Sequence, residues 1–427
     1  MKNLFLASHT LTPMRKSIPL VTTVAFSLLY NSFLHASEAK AYGDIRFRYE
    51  NVEQAGLADD ADALTVRAQV GIKSAELNGF SAVVEMEANR QLFGVDNYRV
   101  PPSGYNPGAY PVIPDPEFTE IDQAFIQYKN DTLTAKIGAQ VIALGNQRYI
   151  GHVGWRQDRV THDAISANVK VSDDLTVYIA HATKRNRLFG EDQDQDAKDS
   201  YFNAVYNTSF GKLTAYAYLL EDDYDLSQGP AFLATGDRDS YGVILNGSFN
   251  LGSQKISYTA EYAEQDLETA SGDEFSMPYV FLEAATKING AAIKLGHEVL
   301  GSDDGTKGFG TPLGTVHKFN GWADAFILPE LGPGSESTQG GDGTPLHGLT
   351  DTYLLVSGKA GPGKMTLVYH QYSDATSYGM GDYGSEFDAA YGIKLGKKYA
   401  GIKYANYDSD GYKTDTEKLW IWFGTKF

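Results

Sequence analysis

The sequence predicts an all-β chain: a transmembrane antiparallel β-barrel of about eighteen strands, with short periplasmic turns and long extracellular loops. Three observations carry this. An apolar segment near the N-terminus has the layout of a secretion signal. Segments of about ten residues then alternate between apolar and polar side chains, as strands between lipid and water do. The last such segment ends on an aromatic, Phe427.

Arg15 and Lys16 form the charged start of the signal, Ile18 to Leu34 its apolar stretch, and Ala36, Ala39 and Ala41 its small residues. Residues 1–36 are therefore expected to be removed, with Ala39 and Ala41 as alternative cleavage sites, leaving 37–427 as the barrel. That removes Lys2, Arg15 and Lys16 and no acid, so the net charge moves from −18 to −21. The chain has no cysteine, which excludes a disulfide scaffold and little else.

The first strand sets the pattern: Ile45, Phe47 and Tyr49 point one way, and Asp44, Arg46, Arg48 and Glu50 the other. Four charges on one strand face require water or partners. The second strand directs Leu64, Val66, Ala68, Val70 and Ile72 outward and Thr65, Arg67, Gln69 and Lys73 inward. Further strands are predicted near 80–92, 119–129, 132–143, 163–171, 175–184, 201–209, 212–221, 239–249 and 255–265. The remainder lie near 278–288, 291–299, 351–358, 364–373, 386–395, 399–407 and 417–427.

Connection lengths test this independently. Short turns at Asn78-Gly79, Asn130-Asp131, Asp173-Asp174, Phe210-Gly211, Leu251-Gly252, Asn289-Gly290, Pro362-Gly363 and Gly396-Lys397 alternate without a break with longer loops. The loops, numbered one to nine, lie near 53–62, 93–118, 144–162, 185–200, 222–238, 266–277, 300–350, 374–385 and 408–416. A soluble sandwich has no reason to alternate in this way, whereas a membrane barrel does. Apolar positions then face lipid and charged ones a wet lumen, because a cation at the lipid midplane costs ~2–4 kcal/mol. Tyr128, Tyr262, Tyr404 and Trp420 are assigned to the aromatic girdles.

Several loop segments are more particular. Val112-Ile113-Pro114-Asp115-Pro116-Glu117-Phe118-Thr119-Glu120 leads into Gln123-Ala124-Phe125. Gly145-Asn146-Gln147-Arg148-Tyr149-Ile150-Gly151 precedes Val153-Gly154-Trp155-Arg156-Gln157. Loop seven carries Gly314-Thr315-Val316-His317-Lys318-Phe319-Asn320-Gly321-Trp322-Ala323-Asp324, followed by Leu349-Thr350-Asp351. These resemble the alginate export family of outer-membrane proteins over most of the mature chain. The resemblance implies an eighteen-stranded barrel that passes a polymer or small solutes by diffusion. In the best-understood members the polymer is alginate, an anionic uronate chain that crosses an arginine-lined constriction. One position departs: the resemblance implies an arginine beside Gln140, and this chain has Ala139.

Expected pore-lining cations are Arg46, Arg48, Arg67, Lys73, Lys136, Lys170 and Lys294; Arg148, Arg156 and Arg159 join them if loop three folds inward. They form either an anion filter or a set neutralised by Asp44, Glu50, Glu85 and Glu87, and both readings stay open. Loop seven is long enough to be functional. Its His317, Lys318, Phe319, Trp322 and Asp324, with Trp155 of loop three, are expected to meet at the mouth or inside it as a loop gate; packing on the rim is the alternative. Asp192, Asp194 and Asp196 alternate as in a calcium loop, but Ala197 replaces the turn glycine and Asn203 the bidentate acid, so no metal is expected. Asp222, Asp223 and Asp225 are read likewise, as a solvated face.

Among the histidines no nucleophile elbow or metal-binding spacing occurs, so no enzyme and no cofactor is expected. The expected function is an outer-membrane channel for a polysaccharide or small anionic solutes. A structural or receptor barrel with a blocked lumen is the alternative, and a barrel hydrolase the more distant one. Expected partners are outer-membrane lipid and lipopolysaccharide, the barrel-assembly machinery through the strand ending at Phe427, and the transported solute, with no nucleic acid.

Overall fold

A computed structural model describes residues 39–100, 106, 108–221, 236–269, 272–327, 345–376, 379 and 381–427. The predicted signal segment 1–36 and Asp222, Asp223 and Asp225 lie outside these. The strands are β1 (Lys40–Gln54), β2 (Ala61–Lys73), β3 (Phe80–Asn97), β4 (Phe118–Lys129), β5 (Leu133–Gln140), β6 (Thr161–Lys170), β7 (Leu175–Asn186), β8 (Gln195–Thr208) and β9 (Gly211–Leu220). They continue as β10 (Asp237–Leu251), β11 (Gln254–Glu268), β12 (Glu274–Ile288), β13 (Ala291–Leu300), β14 (Leu349–Ala360), β15 (Gly363–Ser373), β16 (Asp382–Leu395), β17 (Lys398–Ser409) and β18 (Thr416–Lys426). Each pairs antiparallel with its sequence neighbours in one 18-stranded sheet. β1 also pairs with β18, setting Phe47 opposite Phe423 and closing the cylinder. Among the described residues no helix is long and apolar enough to cross a membrane.

Every predicted strand is present, and the differences lie at the ends. β8 starts at Gln195 and β12 at Glu274, several residues before their predicted starts, because ladder hydrogen bonds continue beyond the apolar belt. β5 instead stops at Gln140, where the chain turns into the lumen. Outward positions such as Val70, Ile72, Met86, Ile126, Ile165 and Leu295 are exposed on the cylinder surface and form the lipid belt. The opposite phase is buried although polar: Arg46, Arg48, Glu50, Thr65, Arg67, Glu85 and Glu87 all point inward.

Two assignments change. Trp420 is fully buried and faces the lumen, not the girdle. The alternation that sends Ile421 and Phe423 to lipid forces Trp420 and Trp422 inward. Ala139 shares the outward phase of Ile137, so the position where the family resemblance implies arginine does not line the pore.

Gly384 marks an irregularity between β15 and β16, where Tyr372 pairs with Gly384 but Ser373 with Asp382. Its φ is +108°, and a Cβ there would lie 2.0 Å from the Asp408 carbonyl oxygen. Gly384→Ala is expected to destabilise the folded barrel by roughly 1–3 kcal/mol, read as a lowered urea midpoint of the compact gel band. Gly392→Ala, whose Cβ would meet nothing nearer than 3.9 Å, serves as the neutral control.

Candidate pore constriction

Loops three and seven fold into the barrel, and apolar burial holds them there. Tyr149 of loop three packs against Tyr216, Tyr218, Tyr279 and Phe309 at ring separations of 5.2–5.8 Å. Phe326 of loop seven packs among Tyr372, Tyr383, Tyr407 and Tyr412. The loops also pair with each other: Gly151 N–H donates to the Leu313 carbonyl at 2.8 Å, and Thr315 N–H to that of Gln147 at 2.9 Å.

On the β1 side the loop backbone is received by arginines. Arg46 donates to the carbonyls of Trp155 at 2.9 Å and Arg156 at 2.6 Å, and to Gln157 Oε1 at 2.8 Å. Arg48 pairs with Asp115 of loop two and with Glu50. Gln157 donates its backbone N–H to Asp115 and its amide to Thr65. Arg67 pairs with Asp44 at 3.2 Å and Glu87 at 3.6 Å, while Arg159 takes Glu85 and Asp122. Arg46, Arg48 and Arg67 thus line one wall together, but each is already engaged. Asp158, beside Arg159, is fully buried. Burial first, then Glu120, Glu87 and Asp122, raises its carboxyl well above the usual range.

The adjoining side, toward β18, is organised around Asp324. One oxygen accepts from His317 Nδ1 at 2.6 Å, and the other from Arg156 and Lys418, each at 3.1 Å. Arg156 also grips both oxygens of Glu50 at 2.9 Å. Lys403 lies 3.0 Å from His317 Nε2, so the imidazole accepts there and carries its proton on Nδ1. Trp155 stacks on His317 at 5.0 Å and meets Trp420 and Trp422 edge-on. Arg148 crosses to Glu298 at 2.8 Å and to Asn320. Gly321 lets loop seven reach β16: its φ is +85°, and a Cβ would lie 2.2 Å from Glu386. Ala323 N–H then donates to that carboxylate at 2.7 Å.

Trp155, Arg156, His317, Trp322 and Asp324 therefore form one cluster. Lys318 points elsewhere, bonding the Asn146 carbonyl and lying over Phe319. Lys136 rests on Phe125, and Lys294 pairs with Glu283. Asp194, read above as part of a solvated face, accepts from Lys184 and from the Arg187 backbone. Lys403 and Lys418 were not singled out from sequence; a charge between Ile402 and Tyr404 was the available signal for Lys403, and the lumen phase of the last strand for Lys418.

Beyond the constriction, the short-turn end of the lumen is lined by lysines. Lys73, Lys129, Lys170, Lys212, Lys255, Lys287, Lys359, Lys364, Lys394 and Lys426 all stand at lumen-phase positions near their strand ends. Arg46, Arg67, Arg159, Lys394, Lys397 and Lys426, with Asp44, border a cavity of about 550 Å³ there. Thr134, Lys136, Gln140, Ser166, Asn168, Tyr178 and Asn203 help line a second, of about 410 Å³.

A closed barrel with an apolar outer belt and a charged, loop-narrowed lumen defines an outer-membrane β-barrel protein. The alginate export family profile matches residues 40–276, more than half of the chain, and the chain belongs to that family. No curated protein sequence matches it. Among solved structures it is similar to the outer membrane protein OpdK of Pseudomonas aeruginosa (TM-score 0.66, 12% identity, covering 91% of this chain and 98% of OpdK). It is also similar to OccAB4 of Acinetobacter baumannii (TM-score 0.66, 12% identity, 92% and 99%). OpdK with vanillate matches at a TM-score of 0.64, with 12% identity and coverage of 91% and 98%. At these identities the likeness is one of fold.

Docking of loop seven should depend on pH. Burial, and secondarily Lys403 and Arg156, lowers His317 to about 3, although Asp324 opposes the shift. Burial would raise Asp324, but His317, Lys418 and Arg156 outweigh it and hold the carboxyl well below its usual range. Both groups bind protons more readily when undocked, so docking is strongest above about 6.5 and weakens as pH falls toward about 3. Conductance should therefore rise on acidification through that window. A flat conductance profile would contradict the assignment.

Proposed function

We propose that this protein is a channel for anionic solutes, either an acidic polysaccharide or small carboxylates, and not an enzyme. The single observation that carries this is the collar of lysines around the periplasmic mouth. Lys170 and Lys294 pair with Asp173 and Glu283; Lys73, Lys359, Lys364, Lys394 and Lys426 stand near the mouth without a carboxylate within 4 Å among the described residues. Cations lining a confined aqueous mouth raise the local anion concentration and the rate of anion capture. OpdK has been solved with vanillate, a carboxylate; a small anion of that class suits the same chemistry here.

In this reading the arginines and lysines divide the work. Arg46 and Arg48 are engaged by loop-three carbonyls and hold that loop in place, while Arg67 is engaged by the wall carboxylates Asp44 and Glu87. Selectivity then rests on the mouth lysines and Lys136. A receptor or structural barrel is the second reading, favoured by the ion pairs that tie both loops inside the lumen. A hydrolase has less support: His317 and His370 bond carboxylates, and His181 meets Ser200 on the outer surface.

Reversal potentials across a salt gradient in planar bilayers test the channel. Wild-type protein should prefer anions, and Lys73→Gln/Lys359→Gln/Lys394→Gln/Lys426→Gln should lose much of that preference. Arg46→Ala/Arg48→Ala should instead raise conductance, because loop three loses its supports. Cation preference in the wild type rejects the anion reading, and no conductance under any condition favours the receptor.

A further inference from the structure

The chain has four tryptophans, Trp155, Trp322, Trp420 and Trp422, and none stands in the lipid-facing girdle where barrels commonly place them. They gather in the lumen, three of them around one ammonium and Trp422 edge-on to Trp155. Lys403 Nζ lies 3.9 Å from the Trp155 ring centre, 4.3 Å from that of Trp322 and 5.7 Å from that of Trp420. It also bonds His317 Nε2 at 3.0 Å. Among the described residues no carboxylate lies within ion-pair distance of it. Its charge is therefore held by ring faces and one imidazole, the arrangement by which aromatic cages bind cations.

We propose that Lys403 is a positioning residue of the constriction, a wall side chain whose ammonium touches loops three and seven at once and fixes them in their docked arrangement. Trp155 belongs to loop three, His317 and Trp322 to loop seven, Trp420 to β18, and Lys403 to β17. Among the described residues no other cation touches all of these. Arg48 also approaches Trp155, at 5.3 Å, but Asp115 and Glu50 hold it on the β1 side. Withdrawing the ammonium leaves His317 Nε2 without its donor and the Trp155–Trp322 pair without its shared contact. The pinned arrangement is the narrow state of the pore, and release of Lys403 is the step that widens it. This rests on the lumen being the passage, as proposed above.

Because all four tryptophans sit in this cluster, intrinsic fluorescence of the full-length protein reports on the pin alone. Lys403→Met keeps the length of the side chain and removes the charge; Lys403→Arg keeps a charge that can sit among rings. The compact gel band verifies barrel folding for each. In Lys403→Met, tryptophan emission should shift to the red and acrylamide quenching rise roughly twofold as the local structure loosens. Open-pore conductance should rise, and Lys403→Arg should restore all three. Trp322→Leu, which removes the loop-seven wall of the cage, should reproduce the conductance change and decides the matter if Lys403→Met does not fold. Unchanged quenching and conductance in a folded Lys403→Met, or an Arg variant no closer to wild type than Met, overturns the pin. If wild-type protein carries no current at all, the channel reading fails, while quenching still decides whether Lys403 holds the loops.

Discussion

One carboxylate organises the interior. Asp324 collects a proton donor from its own loop, a guanidinium from loop three and an ammonium from β18. Through Arg156 it is tied to Glu50 on β1. Charges so enclosed are costly unless each is met by partners of good geometry, because desolvation removes more than a single contact returns. Here the partners come from four separate segments, so the lattice exists only when both loops are seated. That makes the docked arrangement one discrete state, not a range of loop positions.

The barrel wall supplies the counter-charges and the aromatic beds supply the adhesion. Tyr149 and Phe326 each enter a nest of wall tyrosines, which removes apolar surface from water without reference to charge. The two kinds of contact are complementary. Ring burial says that a loop will enter the lumen, and the ion lattice says where it stops. Gly321 shows how closely the second condition is met, since a single methyl group would collide with the Glu386 carboxylate.

The strands were legible because lipid and water select opposite side chains at a period of two, and every local segment carries that imprint. Loop lengths carried the sidedness for the same reason. The interior was legible only in composition: Trp155, Arg156, His317, Trp322 and Asp324 stood out as odd residues for an exposed loop, without indicating what they would touch. Arg156 meets Glu50 across 106 residues of sequence and Asp324 across 168, and no periodicity spans such distances. Trp420 was misassigned because its residue type was given more weight than its phase. Lys403 was overlooked because one lysine in a strand looks like any other lumen charge until its neighbours are known. The segments that suggested the family, around Asp115, Arg156 and His317, are those that converge inside the barrel.

The docked loops also bear on how the cylinder is sealed. β1 begins at Lys40 and β18 ends at Lys426, so joining them closes a loop that contains every other strand, at a cost in entropy and a delay in time. The groups that loops three and seven grip lie on both sides of that joint: Arg46, Arg48 and Glu50 on β1, and Lys418 and Trp420 on β18. Glu50 and Trp420 even face one another across it. The loops therefore act as an internal splint over the seam, adding side-chain bonds to the ladder hydrogen bonds and the Phe47–Phe423 stacking that already join the two strands. A cylinder braced in this way resists parting at its first and last strands even while the passage through its middle changes width.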